Sequence, residues 1–223
     1  MKPITKAHSI AFSFSTTIVY AVWNYLPPLQ PNSLIISLAI TFVMSLSFYK
    51  IVFELLLFLC KHQPLLKKLI LGKYFFEGVW IGFYIVNDEV EYYYEIIEQT
   101  FDETVVKGIA FGEDRKSIGE WTISNPNIDI SESKLTYYYE MNDTSADDII
   151  LGHSRATVYW KHGHAFKLIG FAIDNFSSQK QSYITLKVKT PKNLEEWISD
   201  GFWDAVKEHY DRESANTPSK GNG

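Results

Sequence analysis

The hydrophobic pattern of the chain changes at about residue 77. Before that point there are two long apolar stretches. Residues 9–26 have no charged side chain, and residues 34–49 are also uncharged before the second stretch continues to Cys60. A helix needs about 20 apolar residues to cross roughly 30 Å of hydrocarbon. The pattern therefore predicts a two-helix transmembrane hairpin over residues 1–62.

A cleaved signal peptide is the alternative for the first stretch, because Lys2 and Lys6 give it a basic start. Residues 9–26 end in Trp-Asn-Tyr-Leu and two prolines follow, where a cleavage site would have small residues. A second apolar stretch comes directly afterwards, opened by the helix-start signal Pro-Asn-Ser at residues 31–33. These features favour a membrane span.

Two charged residues, Lys50 and Glu54, interrupt the second stretch one helical turn apart. Residues four apart share a helix face, so their side chains can pair. In the favoured interpretation Lys50 marks the membrane surface and extends its ammonium group to it. In the alternative the pair is buried between the helices of an assembled oligomer.

Residues 63–77 form a basic amphipathic linker after the hairpin. Pro64 stands where a helix can begin, and Gly72 stands where it can end. Leucines fall on one face of this predicted helix, and Lys67 and Lys68 fall on the other. The pattern is typical of a short helix lying on an anionic lipid surface.

From Gly78 onward apolar and polar residues alternate with a period of two, which predicts β-strands. One strand places Tyr92 and Tyr94 on one side, and Tyr93 and Glu95 on the other. The predicted strands cover residues 79–86, 91–101, 104–111, 117–124, 127–131, 135–141, 153–161, 166–173 and 183–190. No long helix separates them, so they can pair in antiparallel order.

We predict a membrane-anchored all-β fold in which residues 78–191 form an antiparallel up-and-down β-barrel, lipocalin-like, of about eight strands. Such a barrel is filled by side chains or has room for one small ligand. A β-sandwich is the alternative, and the simple strand order makes it the weaker one. Residues 192–210 are predicted to hold a C-terminal helix, Leu194–His209, that packs on the barrel, and residues 211–223 a disordered tail.

The charge is divided between the two parts of the chain. Residues 1–77 carry seven Lys against two Glu, whereas residues 78–223 carry 14 Lys and Arg against 24 Asp and Glu. An acidic β domain speaks against binding to DNA or RNA, which requires a basic surface. Basic residues flank the hairpin and none lies in its loop, so the positive-inside rule predicts a cytoplasmic N-terminus and a cytoplasmic barrel. The single Cys60 allows no intramolecular disulfide.

The chain carries no sequence pattern typical of an enzyme. It has no nucleophile elbow, phosphate loop, zinc-ligand set or HExxH motif. His162, Gly163 and His164 are predicted to form a hairpin turn, and two histidines alone do not complete a metal site. Asp147 and Asp148 fall in a predicted solvated loop over residues 142–149. We therefore predict a protein that binds a ligand, is not an enzyme and needs no metal or cofactor.

Aromatic residues are dense in the β domain. Tyr and Trp rings inside a barrel can stack on a planar ring such as a nucleobase, for about 1–3 kcal/mol per base. Arg155 is the one arginine within a predicted strand, which makes it a candidate phosphate clamp, although a structural ion pair explains it equally well. The candidate ligand-binding residues are Arg155, Tyr84, Tyr94, Trp121, Tyr137 and Tyr159.

The order of these parts resembles a known family. Two N-terminal membrane helices, a basic segment and a first strand that begins Gly-Val-Trp-Ile-Gly at residues 78–82 are similar to the two-transmembrane β-barrel effectors of CBASS, a bacterial antiphage defence. This family is described as the SMODS-associated, two-transmembrane, β-strand-rich effectors, and the resemblance covers residues 1–190 as an architecture. It assigns no individual binding residue.

The resemblance implies a sequence of events at the bacterial inner membrane. The barrel binds a cyclic dinucleotide that a partner nucleotidyltransferase makes after infection. The chain then forms a homo-oligomer, and its membrane segments disrupt the phospholipid bilayer to cause abortive infection.

Two other functions remain open at the level of sequence. The wholly apolar first strand and the acidity of the β domain favour a membrane-anchored, lipocalin-like carrier of an apolar ligand. The third possibility is an interaction scaffold whose barrel is filled. A cavity inside the barrel would distinguish the two ligand-binding functions from the scaffold.

Overall fold

The computed structural model describes residues 3–25, 34–86, 89–144, 148–175 and 180–216. The chain divides into two compact units, residues 1–72 and 73–223, which are described one at a time. The boundary at Gly72 lies within the predicted linker.

The first unit consists of three helices. They are α1 (Pro3–Tyr25), α2 (Leu34–His62) and α3 (Pro64–Leu71), and a 3-10 turn, Gly72–Tyr74, follows them. The small side chains of Ala7, Ala11 and Ser15 on α1 are buried, so the two long helices pack closely. The ring of His8 stacks on Phe53 of α2, with ring centroids 4.5 Å apart. Close packing of this kind confirms a helical hairpin.

One helix among the described residues is long and apolar enough to cross a membrane, namely the part of α2 from Ala39 to His62. The first predicted span forms α1, yet α1 does not reach the same hydropathy, so one spanning helix is supported where the sequence predicts two. Four hydroxyl side chains lower the hydropathy of α1, and each donates a hydrogen bond to a backbone carbonyl one turn earlier. They are Ser9, Ser13, Thr16 and Thr17. The helix-start signal at residues 31–33 lies outside the described residues.

Lys50 and Glu54 are both exposed on α2. They form no ion pair with each other, and in the described part of the chain neither has an ion-pair partner. The predicted linker helix is present as α3, which begins at Pro64 and ends where Gly72 has a φ of 57°.

The second unit is a closed antiparallel β-barrel, which confirms the predicted barrel and excludes the sandwich. Its strands are β1 (Gly78–Val86), β2 (Glu89–Gln99), β3 (Thr104–Phe111), β4 (Ser117–Ser124), β5 (Asn127–Asp129), β6 (Lys134–Asp143), β7 (Asp148–Lys161), β8 (His164–Asp174) and β9 (Lys180–Lys187). β1 pairs with β9, and β4 pairs with β6 through three residue pairs that join Gly119–Trp121 to Met141–Asp143. Eight strands thereby close the ring, while the short β5 lies beside the first half of β6.

The predicted hairpin turn at residues 162–164 is present, and the predicted loop over residues 142–149 is shorter than expected. β7 and β8 are joined at His162 and Gly163, whose φ values are 51° and 78°, as a two-residue hairpin turn requires. The loop predicted over residues 142–149 is shorter than expected, since β6 runs to Asp143 and β7 begins at Asp148.

The barrel interior has a packed half and an open half. At the end where β1 begins, apolar side chains from several strands are buried against one another, and Phe76 packs among them. The indole Nε1 of Trp80 donates to the carbonyl oxygen of Phe76 at 2.9 Å, so the buried indole N–H at this packed end has a hydrogen-bond partner. The packed residues are Phe76, Trp80, Ile97, Val106, Ile123, Leu135, Val158 and Leu168.

Two helices, α4 (Leu194–Ser199) and α5 (Gly201–Asn216), follow the barrel, where the sequence predicts a single helix. Phe202, Trp203 and Val206 of α5 are buried against the outer wall, where Phe83 of β1 and Tyr94 of β2 meet them. The helix therefore packs on the barrel as predicted, and it buries the outer face of two strands.

Residues 211–216 are helical, which corrects the predicted disordered tail. Ion pairs at this end of α5 explain the difference. Lys167 on β8 pairs with Glu213 at 2.6 Å, with both side chains 17% exposed, and Arg212 pairs with Glu208 one turn earlier at 2.6 Å. The rest of the predicted tail, residues 217–223, lies outside the described residues.

Replacing Phe202 by Ala should lower the free energy of unfolding of the barrel by about 3–5 kcal/mol, because the ring is fully buried between α5 and the wall. Urea unfolding of the detergent-solubilised full chain, followed by tryptophan fluorescence, measures this change. Tyr138→Ala is the matched control, since Tyr138 is 82% exposed. Equal losses in the two variants would contradict the packing of α5.

Candidate ligand-binding cavity

A cavity of about 280 Å³ occupies the open half of the barrel. It lies at the end where β1, β3, β6 and β8 finish and where β2, β4, β7 and β9 begin. Its wall consists mainly of tyrosines and acidic side chains. The aromatic lining residues are Tyr84, Tyr93, Trp121, Tyr137, Tyr139 and Tyr183, and the acidic ones are Glu91, Glu95, Asp143 and Asp174.

One arrangement recurs three times in the wall, and we call it a ring-over-glycine row. In each row an aromatic ring lies flat over a glycine on the next strand, and its polar edge bonds to a side chain on the strand beyond. The rows are Trp121–Gly108–Glu95, Tyr93–Gly82–Thr185 and Tyr139–Gly152–Asp174.

Glycine is required at the middle of each row. A Cβ added to Gly108 would lie 2.1 Å from Cε2 of Trp121, far inside van der Waals contact. At Gly82 and Gly152 the added Cβ would lie 2.4 Å from Cζ of the tyrosine ring above it. The absence of side chains lets the rings lie against the wall, which leaves the centre of the barrel open.

Glu95 forms the floor of the cavity, and it is 4% exposed. Trp121 Nε1 donates to Glu95 Oε1 at 3.3 Å, and the Tyr137 hydroxyl donates to the same oxygen at 3.5 Å. Burial raises the pKa of Glu95 to about 7, although these two hydrogen bonds lower it in part. The carboxyl therefore changes charge near neutral pH.

A second polar cluster lies nearer the open end. Asp174 accepts hydrogen bonds from the Tyr139 hydroxyl and from Gln181 Nε2, the latter at 3.1 Å. The Tyr84 hydroxyl donates to Glu91, whose pKa is raised by burial despite that hydrogen bond. The cluster holds two carboxylates in fixed positions, with acceptor capacity left for a ligand.

The ionisable side chains that line the cavity are acidic. Four of its lining residues are acidic, and among the described lining residues none is Lys, Arg or His. Hydroxyl groups add further hydrogen-bonding capacity, as in Ser154, whose Oγ lies 2.7 Å from the Tyr183 hydroxyl. The arrangement offers aromatic faces for stacking and carboxylate oxygens as acceptors, so it suits a planar ligand that carries hydrogen-bond donors. Within the described part of the chain, no group of His, Cys, Asp and Glu has the geometry to hold a metal ion.

Three of the six predicted binding residues line the cavity, namely Tyr84, Trp121 and Tyr137. Tyr94 points the other way, and its ring lies 5.6 Å from Phe202 of α5, centroid to centroid, on the outer wall.

Arg155 and Tyr159 are exposed on the outside of β7. Arg155 therefore cannot be a phosphate clamp inside the barrel, and it has no ion-pair partner among the described residues. Alternation along β7 is the reason, because the inward positions are the small residues Gly152, Ser154 and Ala156.

Sequence reasoning misses the most buried polar groups of the site. Tyr93, Glu95 and Asp174 line the cavity, although Tyr93 and Glu95 fall on the more polar side of their predicted strand. The available signal is the set of glycines within strands, since an interior glycine often marks a close approach by another group.

Replacing Glu95 by Gln tests the raised pKa. Because the folded protein favours the neutral Glu95 carboxyl, protonation of Glu95 contributes about 3 kcal/mol to the free energy of unfolding below pH 4.5, the usual pKa of a glutamate. This contribution is lost as the pH rises through about 7, the pKa of Glu95 in the folded protein. We expect Glu95→Gln to gain stability relative to the wild type between pH 5 and pH 8.5, measured by urea unfolding. The control is Glu98→Gln, which removes an exposed carboxylate paired with Lys107. Parallel stability curves for the wild type and Glu95→Gln would contradict the raised pKa.

Comparisons with models of known protein families, with curated proteins and with solved structures find no match.

Proposed function

We propose that this protein is a membrane-anchored receptor whose barrel binds a cyclic dinucleotide, and that it acts as a CBASS effector. The observation that carries the proposal is the aromatic, acceptor-rich cavity in the open half of the barrel. Binding in this cavity is the input, and the helices of the first unit are the output at the membrane.

The cavity chemistry favours a nucleobase as the group that enters. Stacking of a base on a Tyr or Trp face contributes about 1–3 kcal/mol. Adenine and guanine also carry an amino group, and guanine carries a ring N–H, and the carboxylate oxygens of Glu95, Glu91 and Asp174 can accept hydrogen bonds from these donors. The cavity volume of about 280 Å³ is near the lower end of small-molecule sites, which begin at roughly 300 Å³. The bases therefore enter, and the phosphates remain at the open end.

The proposal adds a second membrane span to the one that the hydropathy of α2 supports. We propose that α1 and α2 both cross the bacterial inner membrane, and that the N-terminus and the barrel lie in the cytoplasm. Support comes from the basic flanks of the hairpin and from its uncharged loop. A partner nucleotidyltransferase supplies the ligand, the chain forms a homo-oligomer, and the assembled helices disrupt the bilayer.

A second candidate is a receptor or carrier of a small cationic aromatic compound. The acidic lining favours it, because four carboxyl groups without a described Lys or Arg attract positive charge and repel phosphate. Tyr and Trp faces also bind cations. The same polar lining counts against the carrier of an apolar ligand, and the cavity itself counts against a filled scaffold.

Calorimetry of the solubilised full chain against cyclic di-AMP, cyclic di-GMP and cyclic GMP–AMP tests the ligand. At least one should bind, and Tyr84→Leu should weaken it by about 1–3 kcal/mol, because a stacking face is lost. Tyr84 lies outside the ring-over-glycine rows, so the fold should persist, which a thermal melt verifies. Tyr138→Leu, a change on the outer wall, is the matched control. No binding across the panel, together with binding of benzyltrimethylammonium, would support the second candidate instead.

Dye release from phosphatidylethanolamine–phosphatidylglycerol vesicles tests the membrane output. The full chain should release dye when the bound cyclic dinucleotide is added, because the helices of residues 1–72 then act on the bilayer. Residues 73–223 alone, with the same ligand, should release none. Release without ligand at the same rate would show that binding does not control the output.

A further inference from the structure

Two opposite charges lie near the middle of the candidate span. Lys50 stands sixteen residues after Leu34 and twelve before His62, the two ends of α2. At about 1.5 Å per residue, this places its Cα roughly 24 Å and 18 Å from the two ends, so a helix centred in a hydrocarbon layer of about 30 Å holds it near the middle of that layer. Glu54 lies one helical turn away. In this placement a lysine side chain is too short to reach the membrane surface, which favours the buried pair over the interpretation that Lys50 marks that surface.

The chain does not cover these charges itself. α1 contacts α2 on another side, where His8 stacks on Phe53 and bonds to the hydroxyl of Tyr49. Lys50 and Glu54 are exposed, and neither has an ion-pair partner among the described residues. In lipid, ionisable side chains occur where they face a partner helix or a wet cavity, because hydrocarbon cannot solvate them.

We propose that Lys50 and Glu54 form the contact through which a second copy of α2 packs in the membrane. Lys50 of each copy pairs with Glu54 of a neighbouring copy, which leaves Glu54 of each copy free to pair with Lys50 of a neighbour. One cation and one anion on the same face make that face complementary to itself. The two residues are separated by about 6 Å along the helix axis, which two long side chains can bridge.

The residues beside the pair allow close approach of another helix. Ser47 and Val43 lie one and two turns before Lys50 on the same face, and both are exposed. The Ser47 hydroxyl donates to the Val43 carbonyl at 2.9 Å, so it is satisfied within its own helix. The packing face thus has a small side chain beside the charged pair, as helix interfaces in membranes commonly do.

This inference rests on the membrane placement of α2 in the proposed function, but it does not depend on the ligand. Its occupant is another copy of the same chain. An ion pair within one helix is the competing arrangement, because residues four apart can also pair with each other. The two arrangements predict different behaviour when both charges are removed, because only a contact between copies then loses association.

Energy transfer between two labelled populations of the full chain in phosphatidylethanolamine–phosphatidylglycerol vesicles tests the contact. Lys50→Glu and Glu54→Lys, each alone, should self-associate at least tenfold more weakly than the wild type. A mixture of these two variants should recover association, because each supplies the charge that the other lacks. Absence of recovery in the mixture would overturn the inference.

Two controls separate charge pairing from failed insertion. The double variant Lys50→Leu with Glu54→Leu inserts without buried charge and should still associate at least tenfold more weakly; association equal to the wild type would overturn the inference. Lys61→Glu, a charge change at the end of α2, should leave association unchanged. A loss as large as that of Lys50→Glu would assign the effect to net charge.

The depth of Lys50 is measured separately. Lys50→Cys, in a chain whose single native cysteine is changed by Cys60→Ser, should resist an impermeant maleimide in intact vesicles. Rapid labelling would place residue 50 at the surface and overturn the inference, while leaving cyclic dinucleotide binding by the barrel unaffected. Loss of ligand binding with intact association would instead reject the proposed function alone.

Discussion

The open half of the barrel depends on one repeated contact, an aromatic ring held flat over a glycine of the next strand. Any side chain at Gly82, Gly108 or Gly152 would occupy the position of the ring. Because the rings lie along the wall and not across the lumen, space remains for a ligand. The same contact gives each ring a hydrogen-bond partner one strand further on, so polar groups are buried without being left unpaired.

Strand alternation explains what the sequence predicts and what it does not. The barrel itself follows from local features, the period of two and the short turns. The inward face does not, because α5 covers the outer wall of β1 and β2 and both faces are then buried. On β2 the more polar side of the strand, with Tyr93 and Glu95, faces the cavity, whereas Tyr94 on the more apolar side packs under α5. On β7 the inward positions hold the small residues Gly152, Ser154 and Ala156, so Arg155 between them faces outward.

The two units differ in how they handle charge. In the barrel, acidic groups are buried but satisfied, as the hydrogen bonds to Glu95 and Asp174 illustrate. In the helical unit, Lys50 and Glu54 are exposed and lack partners among the described residues. Buried and satisfied groups hold the cavity wall in place, whereas charges on an apolar helix require a partner where lipid surrounds that helix, as in the proposed membrane placement.

The closure between β4 and β6 has a consequence for the local stability of the cavity wall. Three residue pairs and two hydrogen bonds from Thr144 hold this seam, whereas ten residue pairs join β7 to β8. Segments with few backbone hydrogen bonds open locally long before the whole domain unfolds. Trp121 belongs to both the seam and the cavity wall, so the part of the ring with the shortest strand pairing also borders the cavity.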